Sequence, residues 1–271
     1  MPTIIPITDR DDPRIAPYRA VRERDLVGRS GEFIAEGEVV LRVLLGPRSR
    51  CRAASLLVAE NRIARLAPLL EALPDEIPVY AASQAVMDAI VGFPIHRGLL
   101  AHGLRPPDPG AAALLAERPE RALVMGLFGI ANHDNMGGLL RNAAAFGVDA
   151  VLLDARCCDP LYRKAIRVSV GAALTVPFAR LAADDDAALL LERAGFTALA
   201  LSPQGVEPLS HVQRPRRAAV LFGAEGPGLD AALLGRVRTI SIPMAPGWDS
   251  LNVAAASAIV LHHLTQGGST A

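Results

Sequence analysis

Asn135-Met-Gly-Gly-Leu-Leu-Arg141-Asn-Ala-Ala-Ala-Phe-Gly147 follows the apolar run Ala122–Gly129 and has the spacing of a helix. An apolar run of strand length leading into a helical pattern is half of a β-α-β unit, and the rhythm repeats downstream. Ala150–Leu153, Thr197–Leu201, Ala218–Phe222 and Thr239–Ile242 read as further strands. Gly138–Phe146, Tyr162–Val170, Asp185–Ala194 and Leu229–Leu234 read as the helices between them. Strands apolar on both faces and alternating with helices predict a parallel sheet covered by helices.

Working back toward the N-terminus, Gly103-Leu-Arg-Pro-Pro-Asp-Pro-Gly110 is too rich in breakers for the interior of a helix or sheet, and Pro119 adds another stop. A short Ala-rich helix fits Ala111–Glu117. These breaks predict two domains, residues 1–105 and 118–271, with 104–117 as linker. In the first, Ser55–Ala59 and Ile77–Tyr80 read as strands and Arg62–Leu73 and Ser83–Val91 as helices, while Gly31–Gly37 leads into a helix near Glu38. This is a small α/β domain.

Composition narrows the classes. Of 271 residues, 51% are hydrophobic and 21% charged, enough to fill cores and too apolar for disorder. Net charge is zero, but 27 of the 28 cationic residues are Arg, with Lys164 the exception. Arg grips phosphate with a planar fork and stacks on bases, although a codon bias would produce the same count. Between Arg10 and Arg65 twelve Arg face eight acidic residues, an excess that suits an RNA-facing surface as well as an ordinary solvated one. Cys51, Cys157 and Cys158 form neither a CxxC pair nor a zinc set, so no metal is expected and a reducing compartment is. With no signal-peptide pattern and no membrane-length apolar run, the expected location is the cytoplasm.

Three segments carry chemistry. In the first, Asn135 takes a capping or loop position and Arg141 the second turn of a helix that starts at the carboxyl end of a parallel strand, facing the usual ligand crevice. Read alone, Asn135 merely caps and Arg141 is a solvated charge. Gly137-Gly138 lacks the GxGxxG spacing of a dinucleotide loop. The second segment, Leu221-Phe-Gly223-Ala-Glu225-Gly226-Pro-Gly228-Leu, runs a strand into three glycines around one carboxylate, a loop that admits close backbone approach or simply makes a tight turn. The third is Ile240-Ser-Ile242-Pro-Met244-Ala-Pro-Gly247-Trp-Asp-Ser250-Leu251-Asn252-Val253, followed by an apolar helix through Leu264. Ser250 is the expected N-cap. Asn252, in the first turn of a helix apolar nearly all round, needs a partner for its amide.

In this order and on these elements, the three segments resemble the signature motifs of SpoU-type RNA ribose 2′-O-methyltransferases of the SPOUT superfamily, over Ala122–Leu264. Phe33-Ile-Ala-Glu36-Gly37 and His96-Arg97-Gly98 extend the resemblance to that family's N-terminal RNA-binding domain. The resemblance implies a C-terminal SPOUT domain with a deep trefoil knot, S-adenosylmethionine as cofactor, and a homodimer with the site close to its interface. By motif position Gly223, Ile242, Met244 and Leu251 would hold the cofactor. Arg141, Asn135, Glu225, Ser250 and Asn252 would form the catalytic set. A helix apolar nearly all round independently calls for a two-fold partner. His133 stands where the family often has Pro, and reads as a variable loop residue. The implied substrate is structured RNA, large-subunit ribosomal RNA before transfer RNA. Two rivals stay open: an RNA-binding protein that lost turnover, and a base-nitrogen methyltransferase. The cofactor assignment further implies that Gly223→Val abolishes S-adenosylmethionine binding in an intact fold.

Overall fold

The computed structural model describes residues 3–19, 31–92, 97–248 and 250–266. His96 and Asp249, both within motif stretches read above, lie outside the described residues, as do residues 20–30 of the Arg-rich segment. The chain divides into two compact units: residues 1–106 with 159–175, and residues 107–158 with 176–271.

The first unit carries a five-stranded mixed sheet, in the order β1 (Ile4–Ile7), β4 (Val79–Ala82), β3 (Arg52–Ala59), β5 (Leu99–Leu104), β2 (Glu32–Glu36). β1, β4 and β3 run parallel, whereas β5 is antiparallel to both β3 and β2. Helices α1 (Glu38–Leu44), α2 (Ile63–Glu71) and α3 (Gln84–Val91) connect them. α3 is capped by Ser83, whose Oγ accepts from Val86 N.

Two expectations change here. The segment before Glu38 is itself a strand, β2. Gly103, the first residue of the breaker-rich stretch read as too broken for the interior of a sheet, lies inside β5, opposite Phe33 on one side and Ala53 on the other. A Cβ at Gly103 would sit 2.3 Å from the Phe33 ring, so the missing side chain makes room for an aromatic buried to 1% exposure. Tyr18 locks the same sheet: its hydroxyl bonds Ser55 Oγ at 2.8 Å and accepts from His102 N at 3.1 Å.

The second unit is a seven-stranded, wholly parallel sheet in the order β10 (Glu207–Pro208), β12 (Arg238–Ser241), β9 (Thr197–Leu201), β11 (Arg217–Gly223), β6 (Ala122–Phe128), β7 (Ala150–Leu153), β8 (Phe178–Arg180). β6 and β11 form its spine, with Ala122–Met125 and Ala218–Leu221 fully buried. The short β8 and β10 had no counterpart in the sequence reading. Helices α4 (Ala111–Ala116), α5 (His133–Ala145), α7 (Ala187–Arg193), α8 (Ala231–Leu234) and α9 (Val253–Gln266) belong to this unit. The remaining helix, α6 (Arg163–Val168), lies in the 159–175 segment and packs on β2 of the first unit, where Arg167 reaches Glu36 at 3.8 Å.

Candidate active site

Three neighbouring parallel strands, β12, β9 and β11, end at one cleft of about 670 Å³, the usual place for ligands in such sheets. Each strand contributes the residues that follow it: Leu201–Gln204 from β9, Phe222–Leu229 from β11, and Ile242 and Met244 from β12. Ser250–Val253, leading into α9, complete the lining. The cleft therefore joins Gly223, Ile242, Met244 and Leu251 with Glu225, Ser250 and Asn252.

The loop after β11 is folded back on itself. Gly228 N donates to Ala224 O at 3.0 Å, with Gly226 and Gly228 at φ +90° and +67°. A Cβ on Gly223 would lie 2.3 Å from Gly228 C and 2.5 Å from Leu229 N. The loop's own closure thus excludes a side chain there. Gly223→Val would distort the loop before any ligand arrived, and the expectation of an intact fold is corrected.

Asn252 is the hub. Its Nδ2 donates to Asn135 Oδ1 at 2.8 Å and to Glu225 Oε1 at 2.8 Å. Its Oδ1 accepts from Ala254 N at 3.0 Å and Ala255 N at 3.3 Å, and its carbonyl accepts from Ala256 N at 2.9 Å. Asn252, directly before Val253, therefore caps α9, because its side-chain oxygen meets the unpaired amides of the first turn. The amide demanded by the sequence finds both donors and acceptors filled.

α5 starts earlier than its pattern implied. Asn132 is the N-cap, accepting from Asp134 N at 2.8 Å and Asn135 N at 3.2 Å. His133 is the first helical residue, not a loop residue; that position accepts Pro readily, since its N–H has no intrahelical partner. Asn135 is consequently inside the first turn, with its side chain released to meet Asn252. Seven residues on, Asn142 Nδ2 donates to Ala254 O at 2.7 Å and Ser257 Oγ at 2.8 Å. Between them, Gly138 brings the two helices close enough that a Cβ would meet Ala254 Cβ at 2.8 Å. Asn135, Gly138 and Asn142 form one helical stripe against α9. Sequence reading missed Asn132, Asn142, Ser202 and Gln204; a polar residue two helical turns from Asn135 was the available signal for Asn142.

Arg141 does not join this group. It is the ninth residue of α5, in the third turn rather than the second, exposed, and absent from the cleft lining. Six residues beyond Asn135, it points about 120° away from the stripe that meets α9. Among the described residues it has no hydrogen-bond or ion-pair partner.

The approach to α5 is held by β7. Asp154 Oδ1 accepts from Gly129 N at 2.9 Å; burial opposes its charge, but this bond and Arg156 hold its carboxyl below the usual range. Cys157 Sγ donates to Leu127 O at 3.3 Å, and burial pushes its thiol up to about 12. α9 buries Val253, Ala256, Ser257, Val260, Leu261 and Leu264, while Ala255, Ile259 and His262 stay exposed along one stripe. The helix is thus buried on one side within the chain. Among the described residues no group of three or more His, Cys, Asp or Glu could hold a metal, and no helix is long and apolar enough to cross a membrane.

Comparison with known proteins follows the same outline. The SpoU rRNA Methylase family profile matches residues 122–262. An uncharacterized tRNA/rRNA methyltransferase of Mycobacterium bovis is 40% identical over 276 residues, covering 97% of this chain and 92% of its own. The 23S rRNA (guanosine-2′-O-)-methyltransferase RlmB of Salmonella typhi is 29% identical over 202 residues, covering 73% of this chain and 83% of its own. An AdoMet-bound rRNA methyltransferase from Sinorhizobium meliloti shares the fold at TM-score 0.79 and 20% identity, covering 98% of this chain and 99% of its own.

Proposed function

The chain belongs to the SpoU rRNA methylase family, and we propose that it methylates a ribose 2′-hydroxyl of structured RNA from S-adenosylmethionine, with large-subunit ribosomal RNA ahead of transfer RNA. The observation that carries this reading is the single amide of Asn252 joining Asn135 and Glu225 at the cleft, which ties three separate motifs into one site. The ribose reaction named for the RlmB relative supports the choice of hydroxyl over base nitrogen.

The cleft fits the cofactor. Its volume lies within the ordinary range for small-molecule sites. Phe222, Ile242, Met244 and Leu251 offer apolar contact to a purine, and Gly226 and Gly228 leave the backbone of the loop after β11 uncovered by side chains. When bound, the cofactor supplies a methyl already activated by its sulfonium. What remains for the protein is alignment of the hydroxyl oxygen, which can supply much of the acceleration.

A guanidinium offers hydrogen-bond donors and no acceptor, so Arg141 orients rather than deprotonates. Its fork grips the phosphate next to the target ribose, and the hydroxyl proton leaves to that phosphate or to water. Asn135, Glu225, Ser250 and Asn252 shape the pocket around the ribose. Because Arg141 has no partner among the described residues and stands away from its own protomer's cleft, it serves the partner's cleft in a homodimer that covers the Ala255, Ile259 and His262 stripe. The first unit, which holds residues 1–106, supplies RNA affinity to the second, which carries the cleft. A trefoil knot formed by the chain from β11 to α9 is in keeping with three loops converging on one cleft. The enzyme works in the cytoplasm.

The test is incubation of the full chain with methyl-labelled S-adenosylmethionine and protein-free ribosomal or transfer RNA, followed by digestion to nucleosides. Label in a 2′-O-methylnucleoside is expected. Label in a base, or none with either RNA, would overturn the reading. Ribose-methylation mapping of cells with and without the gene then identifies the nucleotide.

A further inference from the structure

The chain has one tryptophan, Trp248, and it is 76% exposed. Tryptophan is the largest apolar side chain, and its burial is usually among the stronger contributions to packing. Here it is displayed instead. Ala245-Pro246-Gly247-Trp248 has the marks of a type II turn: Pro second, Gly third at φ +88°, and Trp248 N donating to Ala245 O at 3.2 Å. Proline and the closing hydrogen bond hold the backbone that presents the indole.

The position is adjacent to the proposed reaction centre. Met244 on one side of the turn and Ser250 on the other both line the cleft, while Trp248 does not. A single residue separates Trp248 from Ser250, so their Cα atoms are at most about 7 Å apart. Leu251, which also lines the cleft, is 44% exposed and adds apolar surface at its margin.

We propose that Trp248 is a stacking platform for a nucleobase of the RNA, at or beside the nucleotide whose ribose enters the cleft. The proposal rests on the RNA-methyltransferase reading and adds a specificity residue to it. A flat, exposed π face carried on a closed turn matches an unstacked base in a loop or single strand, the form in which RNA is usually read. Because the turn is already ordered, less conformational freedom is lost on binding.

A lone tryptophan makes intrinsic fluorescence a direct reporter. The full chain, with S-adenosylhomocysteine present, is titrated with short oligoadenylate and oligouridylate. Saturable quenching is expected, stronger with the larger adenine ring. Trp248→Ala should weaken binding of labelled oligoadenylate by about tenfold, within the range for loss of one base-stacking aromatic. Trp248→Phe should recover most of it, and S-adenosylmethionine affinity should be unchanged in both. Emission indifferent to RNA, or an alanine variant that binds RNA like the wild type, would overturn the proposal. So would emission that follows protein concentration rather than RNA, which would assign the ring to a second copy of the chain. None of these readouts needs turnover: a silent Trp248 in an enzyme that methylates ribose defeats this proposal alone, whereas quenching without methylation of any RNA defeats the underlying reading and leaves stacking standing.

Discussion

Asn252 Nδ2 stands 2.8 Å from Asn135 Oδ1, joining the first turns of α9 and α5 across 117 residues of sequence. The orientation of the amide is fixed by its surroundings. Its oxygen faces two backbone N–H groups, so its nitrogen must face Asn135 and Glu225. One side chain thereby starts a helix and sets the spacing of the proposed site.

Asn252→Asp separates these two tasks. Aspartate still caps α9 but has no donor for Asn135 and sets a second carboxylate beside Glu225. We expect methyl transfer to fall by about a hundredfold or more, as misplacement of a reacting group does, with the melting temperature nearly kept. Asn252→Ala should also lose about 1 kcal/mol of stability with the cap. Denaturant titration together with initial rates distinguishes the two variants; equal stability loss in both would refute the separation.

Arg141→Lys keeps charge and loses the two-pronged grip, so single-turnover methyl transfer at saturating RNA and cofactor should drop by about a hundredfold or more. Arg141→Ala should be no better, and cofactor affinity should barely change in either. Since Arg141 does not line its own cleft, co-expressed Arg141→Ala and Asn252→Asp chains should form mixed dimers with activity that neither has alone. Near-normal rates for the lysine variant would reduce its role to charge, and failure of mixing to restore activity would return Arg141 to its own protomer.

Gly223→Ala places a methyl against Gly228 and Leu229 backbone that cannot move without opening the loop. Overpacking of this kind costs about 1–3 kcal/mol. S-adenosylmethionine affinity by calorimetry and thermal stability should therefore fall together. Lost affinity at unchanged stability would mean that the ligand alone, and not loop closure, excludes the side chain.

Cys157 gives a pH dependence with a definite sign. Its thiol is raised from the ordinary 9.0 to about 12, with burial the main cause. The folded chain keeps a proton that the unfolded chain releases, so this contribution is complete below pH 9 and is lost between there and about pH 12. Urea titrations should show stability falling by about 1 kcal/mol by pH 10 from this group, and Cys157→Ala should flatten that fall. Iodoacetamide at neutral pH should modify Cys158 before Cys157. A slope unchanged by Cys157→Ala would contradict the assignment.

Local pattern was enough for the spine of the second unit. β6, β7, β9, β11 and β12 announce themselves as short apolar runs between helical patterns, and Ala150–Leu153 and Thr197–Leu201 match their strands residue for residue. The three motif segments were equally visible, because each is continuous in the chain. β8 and β10, at three and two residues, carry too little periodicity to read. Caps were ambiguous for a related reason. Asn132 and Asn135, or Ser250 and Asn252, lie within one turn of each other, and only the path of the chain decides whose oxygen meets the free amides.

What only tertiary structure decided is which distant groups meet. Gly103 looks like a breaker until the Phe33 ring, 70 residues earlier, occupies the space of its missing side chain. Residues 159–175 lie between two strands of the second unit yet pack with the first. The partners of Asn252 lie 117 and 27 residues away, and Arg141 stands apart from them although its motif begins with Asn135. Periodicity is set by the backbone geometry of neighbours, so sequence carries it openly. Side-chain pairing is set by the closure of long loops around packed strands, and no local pattern encodes it.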